Sequence, residues 1–307
     1  MSGFSFDLSD FVFVWWGLLY EAIPFVAVGA LLSGAVERCL SREMVVRWFP
    51  RHRGLGIAAS ACLGLVFPMC ECGAVPIVRR LMRKGVPVSC GIAYLLAAPI
   101  VNPLVIASTA VAFRGREGWT MVGLRGGLGY LIAVLVAAAV WRLLGEGNVL
   151  RGGGDDHGEP AHDRARRGGV LGDVLAVAAG DFVVIGGTLV LGAAAAALIN
   201  SGFSRAAMAP LADRALVAVP GMMALAVALN LCSEADAFVA ASFYAFPLTA
   251  KLAFLVLGPM VDLKLLLMYA AVFRPKAIAA IAGLAAALVL AACLAGPLWL
   301  PLFGVAI

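Results

Sequence analysis

A chain of 307 residues that is 63% hydrophobic and only 13% charged is too apolar for a water-soluble domain, which holds nearer half apolar and a quarter charged residues. It suits a bundle of about six to ten membrane segments. The net charge of +5 then belongs to basic loops at a membrane surface, and no nucleic-acid partner is expected.

The first apolar run, 11–36, follows Asp7 and Asp10 rather than a basic stretch, and it is too long for a signal-peptide core. It is expected to be the first span, with the N-terminus outside, and it carries an acid, Glu21. The second run, 54–82, is interrupted by Pro68, by Cys70-Glu71-Cys72-Gly73 and by Pro76. The third, 86–113, holds Pro99 and Pro103 around Asn102. The fourth, 119–144, is bracketed by Trp119 and Trp141, about 33 Å apart along a helix, which is one bilayer with an aromatic anchor at each edge. A polar stretch, 145–170, follows as a predicted linker between membrane units 1–144 and 171–307. His157 and His162 lie in it among Asp155, Asp156, Glu159 and Asp163. They read as a solvated tether, with a metal-binding tail as the alternative. Runs at 171–199, 215–243, 247–273 and 276–303 complete the chain.

The two halves align without gaps at a shift of 160 residues. Cys72 falls on Cys232, Pro99 on Pro259, Asn102 on Asp262, Phe113-Arg114 on Phe273-Arg274, and Glu21 on Asp181. Aligned cysteines, prolines and acids at one offset are not the coincidences that alanine and leucine produce, so the duplication is real. Loop charges set its geometry. With all eight segments crossing, Lys and Arg divide evenly between the two sides. With segments two and six re-entrant, the cytoplasmic side holds 16 and the outside 5. The positive-inside rule prefers the second arrangement. The expected fold is therefore all-α and polytopic, with two inverted repeats of about four apolar segments, re-entrant hairpins or broken helices, and a cytoplasmic linker in the cell membrane. Kinked full spans are the alternative. Helix breaks are expected at Pro68, Pro76, Pro99, Pro103 and Pro259.

Hairpin tips near the bilayer midplane would carry Cys70, Glu71 and Cys72 from one half against Cys232, Glu234 and Asp236 from the other. Carboxylates at that depth are costly unless they face water, a partner or a solute. Thiolates beside carboxylates take zinc-like or softer ions, and thiols also take trivalent arsenicals. The alternative is that the cysteines only pack, the acids being proton sites. Cys39, Cys62, Cys90 and Cys293 lack polar company and read as packing residues. Asn102 and Asp262 would sit beside breaks with a binding or coupling role, although Asp262 could merely neutralise Lys264. Glu21 and Asp181 read equally as proton-coupling groups or as hydrogen bonds between scaffold helices. No nucleotide or zinc-protease motif is present, so ATP-driven pumping is not expected.

The runs FPMCECGAVPIVRRLMRKGVP, AYLLAAPIVNPLVI, LCSEADAFVAASF and LGPMVDLKLLLMY resemble the YraQ/ArsP-type predicted permeases over nearly the whole chain. The resemblance implies a permease of duplicated halves, with Cys70, Cys72, Asn102, Cys232 and Asp262 carried over. For one branch it implies export of trivalent organoarsenicals through cysteine contacts. It also implies a second small membrane protein as partner. Many relatives have serine between the two cysteines where this chain has Glu71, which moves the site towards a divalent cation. The expected function is thus a secondary permease, not an enzyme, whose cargo is a zinc-like cation or thiophilic solute and in which any bound metal is cargo. A membrane thiol oxidoreductase using Cys70 and Cys72, and a non-transporting subunit, are the alternatives. A homo-oligomer is compatible with either.

Overall fold

The computed structural model describes residues 8–39, 41, 52–67, 69–151, 170–201 and 215–303. Pro68, most of the linker and both linker histidines lie outside them. Lipid offers no partner to backbone N–H and C=O groups, so an apolar run of this composition closes its hydrogen bonds internally and becomes helix. The first half forms α1 (Leu8–Cys39), α2 (Arg53–Cys62), α3 (Glu71–Arg83), α4 (Val88–Val101), α5 (Pro103–Phe113) and α6 (Gly115–Leu144). The second forms α7 (Val170–Ser201), α8 (Ala215–Leu229), α9 (Asp236–Ser242), α10 (Leu248–Leu257), α11 (Leu263–Tyr269) and α12 (Pro275–Leu294). Element follows element at the sequence offset, and the described residues contain no strand beyond one isolated bridge between Leu150 and Phe273. The protein is an all-α, polytopic membrane protein.

Five stretches are long and apolar enough to cross a bilayer: Leu8–Cys39, Val88–Phe113, Gly118–Leu144, Leu171–Leu198 and Pro275–Leu294. Only the second is mostly buried, at 72% against 22–33% for the others, so the broken pair α4–α5 is the centre and the rest present a wide face to lipid.

Contacts at the helix ends fix the course of the chain. Arg38 at the end of α1 pairs with Asp173 at the start of α7 (3.7 Å). Lys84, just past α3, reaches Glu37 (3.6 Å). Arg53 at the start of α2 pairs with Glu146, just past α6 (3.6 Å), and lies over the Trp141 ring. These ends share one side, the linker side. From there α2 runs inward until Gly64 rests on Ala98, late in α4. Cys70 then lies in the field of Tyr94, and α3 returns until Val78 and Met82 lie on Gly91, early in α4. The α2–α3 segment thus enters and leaves on the linker side. Two pairs of equivalent helices run in opposite directions. Gly34 meets Val174 while Trp15 donates to the Val190 carbonyl (3.4 Å), so α1 and α7 are antiparallel. Likewise α6 ends on the linker side, where α12 begins, because Arg274 N–H donates to the Val149 carbonyl (2.9 Å).

Two prolines expected at breaks are not there. Pro76 and Pro99 lie inside α3 and α4. Each removes a single helical hydrogen bond, a loss that a helix buried in protein tolerates. The break comes before Pro103, at Asn102 (ψ 132°), where the proline disfavours helical backbone and the asparagine supplies a replacement cap. Pro259 lies in the turn between α10 and α11.

The approach of α3 to α1 depends on glycine. A Cβ at Gly29 would fall on the backbone of Gly73, which cannot swing aside as a side chain can. Gly29→Ala is expected to destabilise the protein by about 1–3 kcal/mol, read as a lower Tm in detergent. An unchanged Tm would show that α1 and α3 can separate freely.

Candidate functional site

Three breaks in the helices converge, and a fourth matches one of them across the repeat. In the first half the chain is extended at Cys70 (ψ 167°), and Glu71 and Cys72 open α3. In the second, Asn230 closes α8 with φ 51°, a left-handed conformation that asparagine tolerates better than most residues. Its amide donates to the carbonyls of Val227 and Ala228, both at 2.9 Å, and its Oδ1 accepts from Lys264 N (3.1 Å). The third and fourth breaks match across the repeat. Asn102 Oδ1 accepts from Leu104 N (2.9 Å) and caps α5, while Asp262 Oδ1 accepts from Leu265 N (2.6 Å) and caps α11.

Lys264 stands at the junction. Its ammonium donates to the Asn230 carbonyl (3.2 Å) and pairs with Glu71 Oε1 (3.3 Å) and Asp262 Oδ2 (3.5 Å). Lys264, Glu71 and Asp262 are each at most 3% exposed. Ser233 Oγ donates to the other Glu71 oxygen (3.2 Å), joining the two tips directly. Cys70 and Cys72 are side by side, with Cys232 in their field. Cys232 Sγ donates to Glu234 Oε2 (2.6 Å). From α1, Glu21 lies within electrostatic range of Cys232, Lys264, Glu71 and Glu234. All three thiols are free and buried.

Of the residues expected to act together, Cys70, Glu71, Cys72, Cys232, Glu234, Asp262 and Glu21 converge. Asp236 sits behind them, bound to Arg125 (2.8 Å). Arg125 also donates to Thr109 Oγ1 (2.8 Å) and the Ser233 carbonyl (3.1 Å). Asn102 acts as a cap, with its amide nitrogen buried and lacking a hydrogen bond. Asp181, the repeat mate of Glu21, lies elsewhere: it accepts from Arg80 through both oxygens (3.1 and 3.0 Å) and from Ser33 Oγ (2.5 Å). That is the scaffold role, not a place beside the thiols. Arg125 and Lys264 escaped the sequence reading as site residues, although a cation inside an apolar span was the available signal. Among the described residues no group of three or more Cys, His, Asp or Glu is arranged to hold a metal ion.

A buried cluster of thiols, carboxylates and one ammonium at helix breaks, inside a shell of long apolar helices, defines a multi-pass membrane protein with an internal polar site. Residues 8–296 match the ArsP_1 family, described as predicted permeases, and the chain belongs to that family. It is 38% identical over 263 residues to the UPF0718 protein YcgR of Bacillus subtilis, covering 84% of this chain and 87% of that protein. It is 34% identical over 285 residues to a Streptococcus mutans protein named "Putative two-component membrane permease complex subunit", covering 90% and 91%. No solved structure matches.

Proposed function

We propose that this chain is a secondary permease for a thiophilic solute, a zinc-like soft cation or a trivalent arsenical, bound where the two halves' tips meet. The observation that carries the reading is the Ser233–Glu71 bond between the two tips, which brings Cys70 and Cys72, on either side of Glu71, to the tip where Cys232 bonds Glu234. Thiols with carboxylates favour soft and borderline cations over hard ones. Lining the site with non-helical backbone is how a membrane protein exposes ligands without facing lipid. The opposed directions of α1 and α7, and of α6 and α12, support an inverted repeat, the plan on which alternating access rests. The cargo then enters as substrate, and no resident metal is invoked.

The test is flux into proteoliposomes with a panel of zinc, cadmium, copper(I) and arsenite. Cys72→Ala is expected to cut flux of the accepted solute at least tenfold while leaving Tm within a few degrees. If no member of the panel binds or moves, the reading is wrong. A Cys70–Cys72 disulfide that forms on turnover would favour thiol oxidoreduction instead.

The excess of Lys and Arg on the linker side supports a cytoplasmic linker, an outside N-terminus and residence in the cell membrane. The name of the Streptococcus mutans relative supports a second membrane subunit, which co-purification with the tagged chain would reveal.

A further inference from the structure

The charge at the junction is arranged oddly for a structural ion pair. A buried ion pair is worth keeping when its geometry is tight and every remaining lone pair is satisfied. The Lys264 ammonium instead has its three oxygen neighbours at 3.2, 3.3 and 3.5 Å, all beyond the usual 2.7–2.9 Å of a charge-assisted bond. Glu71 Oε1 and Asp262 Oδ2 are buried, and their one polar partner is this ammonium at ion-pair distance. The oxygens therefore outline a cation seat that an ammonium fills loosely. Acid is also in excess: Glu71 faces the seat from α3, Asp262 from the turn before α11, and Glu21 from α1 with Glu234 in its field, around one lysine. Cys72 and Cys232 lie within electrostatic range of the same ammonium.

The main chain is shaped to deliver this lysine. Lys264 is the second residue of α11, and its N–H and ammonium both bond to Asn230. A Cβ at Gly192 of α7 would strike the Lys264 backbone, so a glycine is what allows α11 to start this close to α7. The lysine reaches Glu71, a carboxylate of the opposite half and next in sequence to both Cys70 and Cys72.

We infer that Lys264 is a tethered stand-in for the transported cation, occupying its carboxylate seat in the empty site and competing with it for Glu71. This rests on the proposed function and adds the residue that sets affinity. When a soft divalent cation enters between the thiols and Glu71, the thiols that bind it release their protons to the water that accompanies it. The ammonium gives up Glu71 and keeps Asp262 and the Asn230 carbonyl. When the cargo leaves, the lysine returns, so Glu71 is not left bare in low dielectric. Such a competitor weakens the hold on the cation, and a carrier must both bind and let go.

The experiment is cadmium binding to the purified full chain by titration calorimetry, together with cadmium flux in proteoliposomes. Lys264→Met is expected to bind cadmium at least tenfold more tightly than wild type and to carry it several-fold more slowly. A lysine that merely held the fold would not give tighter binding when removed. Because Lys264→Met leaves two bare carboxylates and could fail to fold, Lys264→Met/Asp262→Asn restores the local charge balance. It is expected to bind cadmium at least tenfold more tightly than Asp262→Asn alone. If wild type binds cadmium and neither lysine variant binds more tightly than its reference, the inference falls while the proposed function stands. If none of these proteins binds cadmium or zinc, the cationic-cargo reading falls and the inference with it.

Discussion

Arg125→Met is expected to lower the stability of the protein by about 3–5 kcal/mol, the usual cost of removing one partner of a buried ion pair. Arg125 is 1% exposed and Asp236 3%. The guanidinium holds Asp236 at 2.8 Å, the Ser233 carbonyl at 3.1 Å and Thr109 on α5 at 2.8 Å. Taking it away strands a carboxylate, a carbonyl and a hydroxyl together. Most of the loss is the penalty on Asp236, so Arg125→Met/Asp236→Asn should recover more than half of it, since a buried pair replaced on both sides is often neutral. Thermal unfolding in detergent measures both. The pair also positions the second tip through Ser233, so flux should fall in the single variant and return in part in the double one. A single variant as stable as wild type, or a double variant no better than the single, would show that the pair does not hold the tip.

Asp181→Asn should act on the other side of the protein. Asp181 on α7 receives two bonds from Arg80 on α3 and one from Ser33 on α1, and Arg79 lies 3.9 Å away. Arg80 and Lys84 extend the network to Glu37 at 3.7 and 3.6 Å. Three helices are thus tied together on the linker side of the thiols. Each bond to a charged group contributes about 1.5–3 kcal/mol, and asparagine keeps the shape while halving the acceptors and removing the charge. The prediction is that this network closes the linker side of the site. In membrane patches with the linker side exposed, a membrane-impermeant maleimide should label Cys72 at least tenfold faster in Asp181→Asn than in wild type. Equal labelling rates would make the network a fastening with no part in access.

The two predictions mark where sequence and structure part. Glu21 and Asp181 occupy matching positions in the repeat and read alike in one dimension. In the fold one faces the thiols and the other is caught between two arginines. A duplicated chain reproduces its helices, but the surroundings of each position come from whichever helices pack there. α1 and α7 run antiparallel, as do α6 and α12, so mates meet different neighbours. Asn102 and Asp262 are the contrasting case. Both cap the helix that follows them, because a cap is a local event within three residues and is copied along with them.

The membrane solvent and the helical class were legible in the chain itself, as were the constant offset between its halves and the runs Cys70-Glu71-Cys72 and Cys232-Ser233-Glu234. The first two follow from composition, and the runs stand out by the cost of placing acids in an apolar run. Pro76 and Pro99 were misread as breaks because a proline costs a helix one bond, and only its surroundings decide whether the helix yields. The tertiary structure alone decided the partners. Arg125 meets Asp236 across 111 residues of chain and Ser233 meets Glu71 across 162, while Lys264 reaches Glu71 from the far half. Ion pairing depends on distance in space and on the low dielectric around each pair, and neither is written in the order of the residues.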